Sequence, residues 1–130
     1  MSQIIVEGHR GWCAKYPENT LISYRKAMEL GVDAMEFDVW LSKDNVPVIM
    51  HDGNAKRVSG VDCKLNDMTL EEIKKLDVGS WKGEEFAGAQ VPTLKETLEL
   101  AKELRPDLKL GVEIKEYTEE TVDIAVKALF

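Results

Sequence analysis

The chain has 130 residues, 44% hydrophobic and 32% charged, with 17 Lys and Arg against 24 Asp and Glu for a formal net charge of −7. That length carries one domain with its own core, and an acidic chain without a basic stripe is unsuited to nucleic acid or to an anionic membrane surface. No apolar run approaches bilayer length, the N-terminus lacks the pattern of a signal peptide, and Cys13 and Cys63 have no partners at metal-finger spacing, so a cytoplasmic chain with free thiols is expected.

In chain order, Ile4 to Val6 is expected as a short apolar strand, followed by the loop "GHRGWCAKYPEN". Thr20 to Leu30 has Leu21, Tyr24 and Met28 on one side and Gly31 as a stop, which predicts a helix. Asp33 to Trp40 alternates with period 2 and predicts a strand; Val46 to Met50 predicts another. A longer excursion, roughly 53–91, contains "DMTLEEIKKL", where Thr69 and Glu72 are in capping-box register and Leu70, Ile73 and Leu76 share a face. Thr93 and Glu96 predict a second capping box, opening a helix with Leu94, Leu98, Ala101 and Leu104 inward and Pro106 after its end. Lys109 to Lys115 predicts a further strand, and Thr118 caps a last helix whose Val122, Ala125, Val126 and Leu129 share a face. Strands alternating with helices predict an α/β fold with parallel strands.

The strands are fit to pack on one face only. Met35, Phe37 and Val39 oppose Ala34, Glu36 and Asp38; Leu110, Val112 and Ile114 oppose Gly111, Glu113 and Lys115. An open sheet covered by helices on both sides has strands that are nearly continuously apolar. Small and charged residues on one face, near the strand ends, fit a (β/α) barrel with its chemistry at the top of the strands.

Eight polar residues gather at those ends: His9 and Arg10, Glu36 and Asp38, His51 and Asp52, Glu113 and Lys115. Each bears a plain alternative. Glu36-x-Asp38 alone is a solvated face, His51-Asp52 alone a turn, Glu113-x-Lys115 alone an exposed ion pair, and Glu18-Asn19-Thr20 a helix cap. Trp81 and Phe86 read as local packing. Together the eight form a kit for phosphoryl chemistry. Three converging carboxylates repel unless a cation sits among them, and oxygen ligands favour a hard ion such as Mg²⁺ or Ca²⁺. The chain's two histidines, His9 and His51, suit an acid/base pair near neutral pH. Arg10 and Lys115 would neutralise a phosphodiester.

The same residues carry a resemblance. His9-Arg10-Gly11, Pro17-Glu18-Asn19-Thr20, Glu36-Phe37-Asp38, "VPVIMHD", "MTLEEIKKLDVGSW", "VPTLKETL" and Glu113-Ile114-Lys115 occur in the order seen in glycerophosphodiester phosphodiesterases, over nearly the whole chain. The resemblance implies a TIM (β/α)8 barrel of the phospholipase C-like phosphodiesterase type, and metal-dependent hydrolysis of glycerophosphodiesters to glycerol 3-phosphate and an alcohol. Carried over by motif, His9 and His51 are the general acid/base pair, Glu36, Asp38 and Glu113 the ligands of one Mg²⁺ or Ca²⁺, and Arg10 and Lys115 the phosphate contacts. The excursion resembles the insertion that forms a small subdomain over the barrel. Glu7 falls on the His9 side of the first strand without an assigned role.

A complete barrel of this type needs ~250 residues and eight strands. The chain is therefore expected to hold roughly the first three βα units plus the insertion, a partial barrel that is inactive or weakly active as a monomer, or that self-associates through exposed sheet edges. The alternatives are a related phospholipase D-like barrel enzyme acting on lysophospholipids, with the same two histidines and acidic site, or a non-catalytic barrel fragment.

Overall fold

The sheet is organised around β2 (Ala34–Leu41), in a computed structural model that describes residues 4–115 and 118–129, with backbone alone at Ala125, Ala128 and Leu129. β1 (Glu7–His9) runs parallel to it, pairing Glu7 with Ala34, Gly8 with Met35 and His9 with Glu36. β4 (Lys109–Ile114) runs parallel along the other edge, from Ala34 opposite Lys109 to Val39 opposite Ile114. β3 (Pro47–Ile49) is antiparallel and pairs Val39 with Ile49 and Leu41 with Pro47. Val39 thus pairs with both β3 and β4, so β3 shares the β1 edge of β2.

The three strands that alternate with helices are parallel, as expected, and β3, to which the alternation gives no orientation, makes the sheet mixed. The cause is local. Residues 42–46 reverse the chain in a tight turn: Ser42 N–H donates to the Val46 carbonyl at 3.0 Å, Ser42 Oγ donates to Asp44 at 2.6 Å, and Asn45 takes φ 61°. A connection that short joins only antiparallel neighbours. β3 is the return arm of a hairpin, and the barrel units are β1 with the helix Leu21–Leu30, β2 with the helix Leu94–Leu104, and β4 with the helix Glu119–Leu129.

The first strand also begins later than expected. Ile4, Ile5 and Val6 are exposed, and strand pairing starts at Glu7 because β2 starts opposite it at Ala34. Val6 meets the entry to β2 instead: its N–H donates to Asp33 Oδ2 at 2.9 Å, and its carbonyl accepts from Asp33 N–H at 2.8 Å and Ala34 N–H at 3.2 Å.

α1 (Leu21–Leu30) is capped by Thr20, whose hydroxyl accepts from Ser23 N–H, and stops at Gly31 with φ 93°. α4 (Leu94–Leu104) is capped by Thr93 through Glu96 N–H. The reciprocal half of the expected capping box is replaced by another contact: the Glu96 carboxylate reaches Lys74 Nζ at 2.8 Å, a stronger, charged partner than a backbone amide. Leu100 is buried with Leu94 and Ala101, while Leu98 and Leu104 pack at the edge of the same cluster. α5 (Glu119–Leu129) follows Thr118, whose Oγ1 accepts from Thr121 N–H at 3.1 Å. Its Val122 and Val126 are exposed; the Ala125 and Leu129 side chains, expected on that face, lie outside the described residues.

Two cores result. Tyr24, Ala27, Met28, Met35, Phe37 and Val39 form the centre of the first, between one face of the sheet and α1 and α4. The second gathers Val48, Met50, Val58, Leu65, Ile73 and Val91 under residues 53–91, which include the short helices α2 (Lys56–Ser59) and α3 (Leu70–Ile73). The expected box at Thr69 and Glu72 caps α3 in both directions. β3 belongs to both cores, since Val48 faces one and Ile49 the other. No helix among the described residues is long and apolar enough to cross a membrane.

Candidate active site

With Met35, Phe37 and Val39 fully buried against the helices, the pleat sends Glu36 and Asp38 to the opposite face. Register places His9 across from Glu36, and Asp38 across from Glu113. His9 Nε2 lies 3.2 Å from Glu36 Oε2. Lys115, one residue past β4, lies 3.1 Å from Glu113 Oε1 and 3.6 Å from Asp38 Oδ1. Glu7 shares this face, with its Oε1 beside Gly111.

Arg10 reaches the same place through a constrained turn. It takes φ 54° and Gly11 takes φ 82°. A Cβ on Gly11 would stand 2.4 Å from Ser23 Oγ, so only glycine lets this loop lie on α1. The turn brings Arg10 Nε to 3.8 Å from Asp38 and its NH1 to 3.1 Å from Glu18. Asp38 is fully buried and accepts a hydrogen bond from Asn19 Nδ2 at 3.1 Å; Asn19 Oδ1 in turn accepts from the buried Tyr24 hydroxyl at 2.6 Å.

Glu36, Asp38 and Glu113 each offer an oxygen, and these oxygens all lie within 4.8 Å of one another. Two buried atoms of this group, Glu36 Oε2 and Asp38 Oδ1, have no hydrogen-bond partner, nor does Arg10 Nε. Burial, then the neighbouring Asp38 and Glu113 charges, pushes Glu36 up from 4.5 to about 7. Hard oxygen donors with unused lone pairs and mutual repulsion are what a divalent cation would relieve, so the residues fit Mg²⁺ or Ca²⁺.

The second histidine is held differently. Met50 N–H donates to the Asp38 carbonyl at 3.1 Å, setting the end of β3 beside the acidic cluster. His51 then extends beyond the ladder. Its carbonyl accepts from Trp40 Nε1 at 3.2 Å, and its Nδ1 lies 2.7 Å from Asp52 Oδ1. Arg57, on α2, donates to Asp52 Oδ2 through Nε at 2.9 Å and to both Glu18 oxygens at 2.8 Å each. Hydrogen bonds from Arg57 hold Asp52 below its ordinary range. Burial pulls Glu18 upward, but Arg57 and Arg10 together hold it below. Trp81, partly exposed, has Arg57 at 5.9 Å and Lys82 at 5.7 Å from its ring; Phe86 packs edge-on to Tyr16 at 5.6 Å.

The structure thus brings His9, Arg10, Glu36, Asp38, Glu113 and Lys115 into direct contact, while the side-chain contacts of His51 run through Asp52, Arg57 and Glu18 back to Arg10. Sequence reasoning missed Glu18, Asn19 and Arg57. The first two were read as part of the α1 cap, where Thr20 alone does the capping. An acid and an amide just before a sufficient cap were the available signal; Arg57 offered none.

Known proteins resemble this chain along most of its length. The profile described as "Glycerophosphoryl diester phosphodiesterase family" matches residues 9–127. A glycerophosphodiester phosphodiesterase of Caldanaerobacter subterraneus is 45% identical over 111 residues, covering 85% of this chain and 45% of that protein. One from Bacillus altitudinis is 36% identical over 107 residues, covering 82% and 43%. An Oleispira antarctica phosphodiesterase, solved in complex with the product sn-glycerol-3-phosphate, superposes with a TM-score of 0.88 at 38% identity, over 97% of this chain and 51% of that one. A Thermotoga maritima glycerophosphodiester phosphodiesterase superposes with a TM-score of 0.78 at 37% identity, over 98% and 50%. The chain therefore spans less than half the length of these curated relatives, and about half that of the solved structures, as a partial barrel.

Proposed function

The chain belongs to the glycerophosphoryl diester phosphodiesterase family, and from that premise we propose that it carries the metal- and histidine-bearing part of an enzyme hydrolysing glycerophosphodiesters to glycerol 3-phosphate and an alcohol. The observation that supports this best is the close approach of Glu36, Asp38 and Glu113, two of whose buried oxygens accept no hydrogen bond, on the sheet face that also bears His9, Arg10 and Lys115. The glycerol 3-phosphate bound to the Oleispira antarctica relative supports the same product.

Glu36, Asp38 and Glu113 would hold one Mg²⁺ or Ca²⁺. When bound, that ion supplies a Lewis acid for a phosphoryl oxygen. Arg10 and Lys115 bring positive charge to the same mouth, Arg10 as a planar fork and Lys115 as a point charge, and so bind and orient the phosphodiester. His9 and His51 act as the general acid/base pair, one taking a proton from the nucleophile and the other giving one to the leaving alkoxide; the nucleophile is water itself, or the substrate's neighbouring hydroxyl, whose cyclic phosphate water then opens. Asn19, fixed by Tyr24, keeps Asp38 aimed at the site. Residues 53–91, with their own core and with Arg57 reaching Glu18, read as the insertion subdomain that shapes the pocket. Free thiols at Cys13 and Cys63 favour a cytoplasmic setting.

The test combines calorimetric titration of Mg²⁺ and Ca²⁺ with release of glycerol 3-phosphate from glycerophosphocholine, with and without chelator. Cation binding that is lost in Asp38→Asn, with chelator-sensitive product release, is the expected result. Cation binding without turnover would assign the missing parts to the rest of the relatives' length. A chain that binds neither cation, or whose turnover ignores chelator, would overturn the reading.

A further inference from the structure

We infer that Arg57 is a positioning residue that fixes His51 as the Nδ1–H tautomer and, through Glu18, ties it to Arg10. The inference deepens the acid/base reading of His51 and takes its significance from it.

The guanidinium uses both of its edges. Nε and NH2 donate to Asp52 at 2.9 and 3.3 Å, and NH1 and NH2 donate to Glu18 at 2.8 Å each. A planar fork between two carboxylates fixes both in orientation, which a lysine ammonium does not. Asp52, ionised beside Arg57, has only acceptors to offer. Its Oδ1 lies 2.7 Å from His51 Nδ1, so the hydrogen of a neutral ring sits on Nδ1. Nε2 is left with the lone pair, ready to take a proton from substrate or water.

Glu18 closes the other end. Its side chain is 9% exposed, and it accepts from Arg10 NH1 at 3.1 Å. One guanidinium therefore orders the histidine and the phosphate-facing arginine together. Two guanidiniums against two carboxylates cancel, so the chain of contacts orders the site without adding charge to it. Arg57 is 41% exposed, and a single exposed ion pair contributes little order; here the guanidinium is held between two carboxylates at once, one of them the nearly enclosed Glu18, with the Trp81 ring 5.9 Å away.

The readout is the tautomer, seen by nitrogen-15 spectroscopy of the histidine rings at a pH where they are neutral. Two histidines make the spectrum simple, and His9→Gln assigns it. In the unaltered chain, His51 is expected as the Nδ1–H form. Arg57→Gln should make Nε2–H the majority form, and Arg57→Lys should give a mixture. Should Arg57→Gln fail to give a folded backbone spectrum, Arg57→Lys decides. An unaltered chain already in the Nε2–H form, or folded variants that keep Nδ1–H unchanged, would overturn the inference. No metal or substrate is needed, so an intact Nδ1–H signal in a chain whose His51 proves dispensable for turnover would count against the acid/base reading alone.

Discussion

His9, Glu36, Asp38 and Glu113 stand on paired strands, whereas Glu18, His51, Asp52 and Arg57 stand on loops and one short helix. On the strands, register alone does the assembling: pairing Glu36 with His9, and Asp38 with Glu113, is enough to collect the acids at one end of the sheet. On the loops there is no ladder to impose neighbours, and side chains hold one another instead. A helical turn at 56–59 carries Arg57 to a glutamate 39 residues earlier in the chain. The difference shows in the electrostatics. The strand half crowds like charges and leaves two buried carboxylate oxygens without a hydrogen bond; the loop half pairs each of its carboxylates with an arginine.

Breaking each half should have unequal consequences. The largest effect is expected from its histidines: His9→Ala and His51→Ala should each lower kcat by about 10²- to 10⁴-fold in a turnover assay while calorimetry still shows the cation bound. An unchanged rate in either would remove that residue from the acid/base pair. Next comes the support beneath each half. Phe37→Ala, under the strands, should cost about 3 to 5 kcal/mol by denaturant unfolding, and Leu65→Ala, in the second core, about 2 to 5 kcal/mol. Both side chains are fully buried. If the halves are separable, Leu65→Ala should also weaken the His51 signature more than cation affinity.

A pH titration of stability sharpens the contrast because the halves have opposite signs. Glu36 binds its proton more tightly in the fold, at about 7 against an ordinary 4.5. Stability without added cation should therefore fall as pH rises from 4.5 to about 7 and then level off. Mg²⁺ at pH 8 should restore it, and Glu36→Gln should abolish the fall. Asp52 is depressed below 3.8, so its contribution is full above that value and is lost as pH falls through its lowered pKa in the fold. Arg57→Gln should remove that acid-side loss. Parallel curves for the two variants would refute the division. The smallest effect is expected at the joint between the halves: Tyr24→Phe leaves Asn19 Oδ1 short of a donor and should cost about 1 to 2 kcal/mol, with a modest loss of cation affinity as Asp38 is released.

The barrel class, the helix at 21–30 with its Gly31 stop, the packed strand faces and six contacting polar residues were legible because each follows from a period or a cap within a few neighbours. The turn at 42–46 is legible in Ser42, Asp44 and Asn45, whereas strand–helix alternation gives β3 no orientation, and the structure makes it a hairpin arm. At Ile4 to Val6, apolar composition predicted a strand, yet strand pairing begins only at Glu7, where β2 supplies a partner.

Alternation determined, without any coordinates, that Glu36 and Asp38 share a face that cannot pack on helices, since a period of two leaves a strand no other choice. Only the tertiary structure decided what that face meets: Asp38 held by Asn19 and Tyr24, and the two arginines sharing Glu18. Those partners lie 5 to 39 residues apart on different elements. No local preference encodes such a meeting, because it depends on how the sheet, α1 and the excursion fold against one another.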